Sequence, residues 1–439
     1  MNTSTHSRLY RFGEPTFDQA TSRDGITNEH LCRIDLPTTE IDAIALGELH
    51  TVVLSSGTCF AAGDNSKGQC GIQSSPTISW IPRLIPTNQI NILLASCGDT
   101  HTMLLDRQGN LFAFGSNRSG RLGLGDCIDR SHPQRIATST HFTHVACGSS
   151  HTLACGTINS HLEENHSSSP RCYSWGSGTR FKLGLGDEKD RHVPNEIKIP
   201  TTSPNDTGPK ATQLFELASQ GTSHFPATFV ACGVTHSIII TNDGAIYTMG
   251  EGSDGRLGHG NENGQWHPKR IQELKGIHIK IAAASERNTI CASADGNVFT
   301  FGKGNHGIVS AREAVPRMMG GNEKEGQQHH HHHTRHHHHH HHHSKQLVAE
   351  ISCKPMLVGE LRDVGAIVTS VSAGNNGMYA VVDKNNRLFT WGGSIEHGFK
   401  GKKRPTFFPF NATEPKKGCA TSTSTSTSTS KSKKDTATI

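Results

Sequence analysis

Two short motifs alternate along this chain at an interval of about 50 residues, and this repetition constrains the fold more than any single motif does. The closing motif ends in glycine after a hydrophobic residue, as in Phe112-Ala113-Phe114-Gly115. The opening motif reads Gly-x-x-His-Thr in its best copies, as at Gly98-Asp99-Thr100-His101-Thr102. A fixed period of this length predicts a propeller, a solenoid or an array of small units.

The glycines of the two motifs set the register of the repeats. The closing motifs end at Gly13, Gly63, Gly115, Gly176, Gly250, Gly302 and Gly392. The opening motifs begin at Gly47, Gly98, Gly148, Gly233, Ala284 and Gly374. In the last two copies, Arg287 and Gly377 stand where histidine is expected. Glycine permits close backbone approach and positive φ angles, so we predict that these glycines serve the packing of the repeat.

Each repeat contains short apolar runs separated by turn signals. Met103-Leu104-Leu105 precedes Gln108-Gly109, and Asn297-Val298-Phe299-Thr300-Phe301 shows the period-2 alternation of a strand. Two such runs joined by Asp-Gly or a similar pair predict a β-hairpin. A glycine-rich loop follows, as at 119–126, and then a proline-containing strand, as at 132–136. About four short strands per 50 residues predict one propeller blade.

The paired motifs, followed by Gly-x-Leu-Gly, resemble the repeat of the regulator of chromosome condensation family over roughly residues 5–410. The resemblance implies an all-β fold, a seven-bladed β-propeller with four-stranded antiparallel blades. Repeated Trp-Asp dipeptides and the Gly-Gly…Tyr…Trp pattern, which mark the rival WD and Kelch propellers, are absent from the sequence.

The seam of the predicted ring departs from the family pattern. Members of the family usually complete the N-terminal blade with an opening-motif strand from the C-terminus. Here the first closing motif comes at Leu9-Tyr10-Arg11-Phe12-Gly13, and no opening motif follows Gly392. We therefore expect an imperfect or open seam, with Thr406-Phe407-Phe408-Pro409-Phe410 as the candidate segment to finish the last blade.

Low-complexity segments interrupt the predicted propeller at about 156–170, 201–225 and 320–346, and a Ser/Thr/Lys tail follows it at 411–439. These segments have too few apolar residues to form a core, so we predict that they are disordered. The third contains the histidine runs 329–333 and 336–343. Imidazole binds transition metals, but the position of these runs between blades favours a homopolymer expansion over a specific metal site.

Composition narrows the class of protein. The net charge is +5, from 43 basic and 38 acidic residues, a balance that does not suggest a dedicated nucleic-acid binder. Basic clusters at 400–404 and 431–434 would support weak nucleic-acid binding or nuclear import. The 12 cysteines show no Cys-x-x-Cys spacing, and no apolar run has the length of a membrane span or a secretory signal. We expect a monomeric intracellular protein, cytoplasmic or nuclear, with reduced thiols.

The histidines of the opening motifs are the first candidate site residues. His50, His101, His151 and His236 recur at equivalent positions. Catalysis needs a base once, whereas every blade needs the same packing bond, so we predict that these rings tie neighbouring strands or loops. The resemblance places some of these positions near one face of the disc, where individual copies would also contact a partner.

Asp99 is the second candidate. In guanine-nucleotide exchangers of the family, acidic and histidine residues on this face contact the small GTPase Ran, and Asp99 matches one such position. Two departures weigh against exchange activity: Ser149 and Ser150 replace the acid expected in the third repeat, and Ser116 to Asp126 carries no inserted wedge. Asp99, His50, His101 and His151 are therefore the predicted partner-binding residues.

The sequence contains no catalytic constellation, and we predict neither cofactor nor bound metal. The first hypothesis is a protein-interaction scaffold that binds a small GTPase or another regulatory protein through a propeller face. The alternative is an active guanine-nucleotide exchange factor, which needs no covalent chemistry. A weaker alternative is a chromatin-associated protein that uses the basic tail.

Overall fold

β-Strands make up nearly all regular structure in this chain. The computed structural model describes residues 9–11, 32–34, 41–73, 77–158, 170–199, 227–303, 351–374, 378–392 and 402–408. Within these ranges lie six four-stranded antiparallel sheets and one two-stranded sheet. All of these strands belong to the unit Met1–Phe408; a second unit, Pro409–Ile439, lies outside the described residues.

Each four-stranded sheet, or blade, is built from four strands that are consecutive in the chain. Blade 1 comprises β3 (Ala43–Leu46), β4 (His50–Ser55), β5 (Thr58–Asp64) and β6 (Ile78–Leu84). Blade 2 comprises β7 (Ile92–Cys97), β8 (His101–Asp106), β9 (Leu111–Gly115) and β10 (Arg130–Arg135). Blade 3 comprises β11 (Thr140–Cys147), β12 (His151–Ile158), β13 (Arg171–Gly176) and β14 (Arg191–Ile197).

The remaining three blades repeat this order. Blade 4 comprises β15 (Ala227–Cys232), β16 (His236–Thr241), β17 (Ile246–Gly250) and β18 (Gln265–Arg270). Blade 5 comprises β19 (Ile279–Ala284), β20 (Asn288–Ser293), β21 (Val298–Lys303) and β22 (Ile351–Leu357). Blade 6 comprises β23 (Val368–Ala373), β24 (Met378–Asp383), β25 (Leu388–Gly392) and β26 (Lys402–Phe408), and the short helix α1 (Gly359–Asp363) precedes it.

The described residues form six four-stranded blades, so the predicted count of seven is not confirmed. The first closing motif contributes only β1 (Leu9–Arg11), which pairs with β2 (Cys32–Ile34) as an isolated two-stranded sheet. Two paired strands do not make a blade of the predicted kind. At the other end, β26 pairs with β25, with Thr406 opposite Thr390 and Phe407 opposite Phe389. The predicted segment therefore completes the last blade.

Blades pack side by side through apolar cores between neighbouring sheets. The first strands of successive blades contact one another, from β3 and β7 to β19 and β23, as expected for strands near a propeller axis. Between blades 2 and 3, fully buried Trp175 lies 6.5 Å from Phe142, measured between ring centroids. Burial of one aromatic side chain of this kind stabilises the fold by about 2–3 kcal/mol.

Buried thiols at the end of the first strand also join adjacent blades. Cys97 Sγ donates to the Ala45 carbonyl at 3.6 Å, and Cys147 Sγ donates to the Ser96 carbonyl at 3.3 Å. Burial raises the pKa of both thiols, so they stay protonated. The ten cysteines whose side chains are described are free thiols.

We call the edge where the second strand of each blade begins and the third ends the histidine edge. There His101 pairs with Gly115, and the same register pairs His50, His151 and His236 with their closing glycines. In blade 5 the residue opposite Gly302 is Asn288, and in blade 6 the residue opposite Gly392 is Met378. The predicted equivalents Arg287 and Gly377 are therefore each wrong by one residue.

The register error has a local cause in blade 5. Ser285 N–H donates to the Asn288 carbonyl at 2.9 Å, the bond that Gly233 N–H makes to the His236 carbonyl at 2.9 Å. Ser285, rather than Ala284, thus occupies the glycine position of the opening motif. The sequence alone favours Ala284 because it is the smaller residue.

Two glycines show why the motifs keep this residue. A Cβ on Gly98 would collide with the Gly148 carbonyl oxygen of the next blade. Gly115 has a φ of 104°, and a Cβ there would strike the Thr100 carbonyl oxygen. Close backbone approach requires glycine at Gly98, and a left-handed backbone conformation requires it at Gly115.

The insertions lie at particular edges of the blades. β12 extends to Ile158, so the first three residues of the predicted insertion 156–170 belong to a strand, and only residues 159–169 lie outside the described structure. This segment and 200–226 both join strand ends at the edge opposite the histidine edge. Segment 304–350, which contains the histidine runs, joins β21 to β22 and also lies outside the described residues.

Candidate functional site

Four histidines tie consecutive blades at the histidine edge. His101 Nε2 lies 3.1 Å from Thr152 Oγ1 of the next blade, and His236 Nε2 lies 2.9 Å from Thr289 Oγ1. His50 and His151 make the corresponding contacts with Thr102 and Ser237, each at 2.8 Å. The hydroxyl that follows histidine in the motif therefore serves the histidine of the preceding blade.

The hydroxyls fix the protonation of these rings. Thr152 Oγ1 donates to the Arg121 carbonyl at 3.1 Å, and Ser237 Oγ donates to the Lys182 carbonyl at 2.7 Å. Each hydroxyl proton is thus used, so the imidazole must carry its proton on Nε2 and donate it. Nδ1 of each of the four rings is buried and has no hydrogen-bond partner among the described residues.

Burial keeps the four imidazoles neutral. It lowers the pKa of His50 to about 4 and that of His236 to about 3. The pKa values of His101 and His151 also fall well below 6.5, chiefly because of burial and further because of nearby Arg121 and Lys182. The three histidines predicted to contact a partner are at most 1 % exposed, so their side chains offer no surface for direct contact.

Asp99 lies on the surface of the same edge, beside an acid from the neighbouring blade. Asp99 is half-buried in the opening motif of blade 2, and Glu48 is exposed at the equivalent position of blade 1. Partial shielding from water, together with the Asp99 carboxylate, raises the pKa of Glu48. Two carboxylates from adjacent blades therefore repel each other at this face.

A row of buried cations lies beneath the same loops. The side chains of Arg121, Lys182 and Arg256 occupy one repeat position, in the glycine-rich loops of blades 2, 3 and 4, and all are at most 8 % exposed. Arg121 Nη1 donates to Thr100 Oγ1 at 3.0 Å and to the Ser149 carbonyl at 3.3 Å. Each cation thus holds an opening-motif loop.

Lys182 and Arg256 repeat this contact with different surroundings. Lys182 Nζ donates to Ser150 Oγ at 2.9 Å and to Thr179 Oγ1 at 3.0 Å. Arg256 donates to Thr235 Oγ1 at 2.6 Å and also forms ion pairs with Glu251, at 3.2 Å, and Asp254, at 3.1 Å. Burial, with a contribution from Arg121, lowers the pKa of Lys182 to about 8.

The sequence prediction named Asp99 and the histidines but not these cations or Glu251. The available signal was the position two residues before Gly71, Gly123, Gly184 and Gly258, which carries Gln69, Arg121, Lys182 and Arg256 in blades 1 to 4. A basic residue in a glycine-rich loop is usually exposed, so only the packing of the next blade shows that these side chains are buried.

The other predicted features contribute little to this face. Lys402 to Arg404 belong to β26 rather than to a tail, while the histidine runs and Lys431 lie outside the described residues. No group of histidine, cysteine or acidic residues in the described ranges has the geometry to hold a metal ion. No helix in the described part of the chain is long and apolar enough to cross a bilayer.

Comparison with protein families matches the repeats directly. The model of the regulator of chromosome condensation (RCC1) repeat matches residues 56–105, 108–155, 171–240 and 243–292. A second model of the same repeat matches residues 94–121 and 227–256. Together the matches span blades 1 to 5.

Curated relatives share the repeat but are mostly much longer. The human probable E3 ubiquitin-protein ligase HERC3 is 31 % identical over 52 % of this chain and 19 % of its own length. The Arabidopsis thaliana ultraviolet-B receptor UVR8 is 28 % identical over 62 % of this chain and 55 % of its own length. The Caenorhabditis elegans X-linked retinitis pigmentosa GTPase regulator homolog is 27 % identical over 69 % of this chain and 23 % of its own length. The chain spans about a fifth of the length of the first relatives that it matches.

Solved structures agree on the fold. Human WBSCR16 aligns with a TM-score of 0.61 at 17 % identity and covers 90 % of this chain and 88 % of its own. Prp20p from Saccharomyces cerevisiae aligns with a TM-score of 0.60 at 18 % identity and covers 85 % of this chain and 78 % of its own. At this identity the likeness supports the propeller fold alone.

Proposed function

Because this chain belongs to the regulator of chromosome condensation repeat family, we propose that it is a propeller scaffold that binds a regulatory protein through its histidine edge. A small GTPase is the first candidate partner. The proposal concerns binding: the loops of this edge present charge to a partner, while the buried histidines and cations hold the loops in place.

The observation that carries the proposal is the acid pair Glu48 and Asp99. Neither carboxylate forms a hydrogen bond or ion pair with any described residue, and the Asp99 carboxylate helps to raise the pKa of Glu48. A lysine or arginine of a partner placed between them would remove this repulsion. Because the loops that carry the two acids are anchored by buried bonds, little conformational entropy would be lost on binding.

The names of relatives favour a GTPase-related partner. One relative is a GTPase regulator homolog, and the structure of Prp20p was described with its binding to Gsp1p and histones. Other relatives are probable ubiquitin-protein ligases, and this chain matches 19 % of the length of one of them. The repeat alone therefore supports a binding module, and the partner's class rests on the acid pair and on these names.

Guanine-nucleotide exchange is the alternative function. A scaffold that binds the nucleotide-free GTPase more tightly than the nucleotide-bound form lowers nucleotide affinity by linkage, without covalent chemistry. Asp99 favours this alternative because it matches a contact position of the exchangers. The serines Ser149 and Ser150 in the next repeat weigh against it.

One experiment separates binding from exchange. Full-length protein is immobilised, and Ran and a panel of related small GTPases are tested for binding and for release of a fluorescent guanine nucleotide. Binding of one GTPase that weakens at least tenfold in both Asp99→Ala and Glu48→Gln supports the scaffold. Faster nucleotide release at saturating protein supports exchange. If no GTPase binds, or if both variants bind as wild type does, the proposed partner and site are wrong.

Chromatin association is a weaker second candidate, motivated by the basic clusters of the sequence. Phosphate contacts release counterions, so DNA binding by these clusters must weaken steeply with salt and disappear when residues 409–439 are removed and Lys402, Lys403 and Arg404 are neutralised. Binding that survives both changes contradicts this candidate. We also propose that the protein is a monomer with reduced thiols and that it resides in the cytoplasm or nucleus. Light scattering tests the oligomeric state, and fractionation tests the compartment.

A further inference from the structure

Two buried cations of the histidine edge form no direct ion pair with a described residue, whereas a third does. Arg256 of blade 4 forms ion pairs with Glu251 and Asp254. Arg121 and Lys182 hold the same repeat position in blades 2 and 3, and no carboxylate of a described residue lies within 4.0 Å of either. The three sites therefore differ in charge balance but not in position.

The difference can be traced to single residues. Glu251 follows the closing glycine of blade 4, and its N–H donates to the Thr235 carbonyl at 3.0 Å. The equivalent residue is Ser116 in blade 2 and Ser177 in blade 3, and both make the same backbone bond, to Thr100 and Ser150. A carboxylate is thus replaced by a hydroxyl in the two blades where the cation is unpaired.

The groups that contact Arg121 and Lys182 directly are hydroxyls and backbone carbonyls, and none of them is a carboxylate. Both cations reach the pair Ser149 and Ser150, Arg121 through the Ser149 carbonyl and Lys182 through the Ser150 hydroxyl. Ser177 Oγ lies 3.0 Å from Thr179 Oγ1, beside the ammonium. Asp99 and Asp190 act on both cations, and Asp129 acts on Arg121, but only as charges at longer range. Hydroxyls combined with two cations are the donor set that binds an oxyanion.

Leaving a cation buried without a counter-ion is unfavourable, because burial removes water from the charged group. The depressed pKa of Lys182 agrees with this cost. In blade 4 the chain supplies the missing charge itself. In blades 2 and 3 the half-buried serines Ser149 and Ser150 leave the site next to the solvent, so the charge can come from another molecule.

We propose that Arg121, Lys182 and the hydroxyls of Ser150 and Ser177 form a site for a carboxylate side chain of the bound protein. At blades 2 and 3 the buried cations contact an acidic residue of the partner, and at Glu48 and Asp99 the two acids contact a basic residue. The partner therefore presents a basic and an acidic residue side by side. That the ligand is a protein rests on the proposed function, but the charge balance of the site can be tested without any partner.

The first test installs the counter-ion inside the chain. Ser177→Glu places a carboxylate where blade 4 has Glu251, and Ser116→Glu does the same beside Arg121. Ser139→Glu, on the exposed connection between blades 2 and 3, is the matched control. We expect Ser177→Glu to raise the Lys182 pKa, followed by NMR of the lysine Cε, and to raise the melting temperature by about 2 °C relative to the control. No rise in the Lys182 pKa in a folded Ser177→Glu variant would overturn the proposal; if that variant does not fold, Ser116→Glu decides it through the Lys182 resonance and the melting temperature.

The second test uses peptide probes on the wild-type chain. The capped peptides acetyl-Gly-Glu-Gly-amide and acetyl-Gly-Gln-Gly-amide, and inorganic phosphate, are titrated at matched ionic strength while the Lys182 Cε resonance is recorded. We expect saturable shifts with the glutamate peptide, none with the glutamine peptide, and loss of the shifts in Ser177→Glu. Equal shifts with both peptides, or shifts with phosphate alone, would overturn the assignment to a carboxylate. Failure here leaves the Glu48 and Asp99 site untouched, because neither assay involves the GTPase.

Discussion

His101 of blade 2 donates a hydrogen bond from Nε2 to Thr152 Oγ1 of blade 3 across 3.1 Å, and both side chains are completely buried. The same hydroxyl donates onward to the Arg121 carbonyl. Thr152, in a strand of blade 3, therefore bonds both to His101, in a strand of blade 2, and to the loop of blade 2 that contains Arg121. Blades 1 to 4 each carry a histidine followed by threonine or serine, and the histidine of one repeat bonds to the hydroxyl of the next.

Replacing Thr152 with valine keeps its shape and removes the hydroxyl. We expect Thr152→Val to lower the unfolding free energy by about 1–3 kcal/mol, because the His101 Nε2 donor and the Arg121 carbonyl both lose a buried partner. Urea unfolding measures the change. Thr143→Val is the control: this residue is exposed on β11, and its hydroxyl makes only a long bond, 3.4 Å, to the Cys155 carbonyl, so the free energy should change by less than about 0.5 kcal/mol. Equal effects of the two substitutions would show that the tie contributes nothing.

The buried histidines predict acid sensitivity with a definite sign. The folded-state pKa is about 4 for His50 and about 3 for His236, below the unfolded value near 6.5. The unfolded chain thus binds more protons, and stability is retained above pH 6.5 and lost as pH falls toward 4. Each histidine contributes a slope of about 1.4 kcal/mol per pH unit in this window.

The matched variant for this pH dependence is His236→Asn, since blade 5 carries Asn288 at the same register. Between pH 4 and 6.5, the slope of unfolding free energy against pH should decrease in the variant by about 1.4 kcal/mol per pH unit, which corresponds to one bound proton. An unchanged slope would mean that His236 titrates normally in the folded state.

Asp99 should contribute more to binding than to stability. Asp99→Asn removes the charge that helps to raise the pKa of Glu48, so we expect the Glu48 pKa to fall. The same charge also favours the buried cations Arg121 and Lys182, so the two effects oppose each other and we expect the melting temperature to change little. NMR titration of the Glu48 carboxyl carbon measures the first and calorimetry the second. A marked loss of stability would mean that Asp99 has a structural role.

Gly98 should be among the least replaceable residues. An alanine there brings its Cβ against the Gly148 carbonyl of the next blade, and overpacking of this kind costs about 1–3 kcal/mol. Gly359→Ala is the control because no atom lies within 4 Å of a Cβ at that position. Thermal unfolding should separate the two variants clearly; similar melting temperatures would indicate that the inner strands can move apart.

Blade 6 should exchange amide hydrogens faster than blade 3. The histidine position of blade 5 holds Asn288, whose Oδ1 is buried without a described partner, and blade 6 presents Tyr379 where the other blades present the hydroxyl of threonine or serine. Without the histidine–hydroxyl tie, β23 to β25 are held to blade 5 by apolar packing and by the bond of Val368 N–H to the Gly296 carbonyl at 3.3 Å. Hydrogen exchange read by mass spectrometry tests this; equal protection in β11 to β13 and β23 to β25 would contradict it.

Local sequence patterns predicted the blades well because a hairpin depends on neighbouring residues. The alternation at 297–301 became β21, and the segment at Thr406 became part of β26. The offset at Arg287 arose because a one-residue shift in a degenerate motif changes few local preferences. Only the pairing of Asn288 with Gly302 fixes that register.

Contacts between blades could not be predicted from the sequence. The position of Asp99 followed from its motif, but its proximity to Glu48 depends on how far one sheet is rotated from the next. The burial of Lys182 likewise depends on the adjacent blade, because the residue is basic and lies in a glycine-rich loop. The number of blades also depends on long-range packing, and two paired strands at β1 and β2 do not reveal it.

Every histidine tie lies at one edge of the blades, while residues 159–169 and 200–226 join strands at the other. These two connections can therefore vary in length without disturbing an inter-blade bond. Fusion of a fluorescent protein or an affinity handle between Ile158 and Pro170 would leave the partner-facing loops clear. The longest connection, 304–350, instead joins β21 to β22 at the histidine edge, so a change of length there would bear directly on what the partner-facing loops recognise.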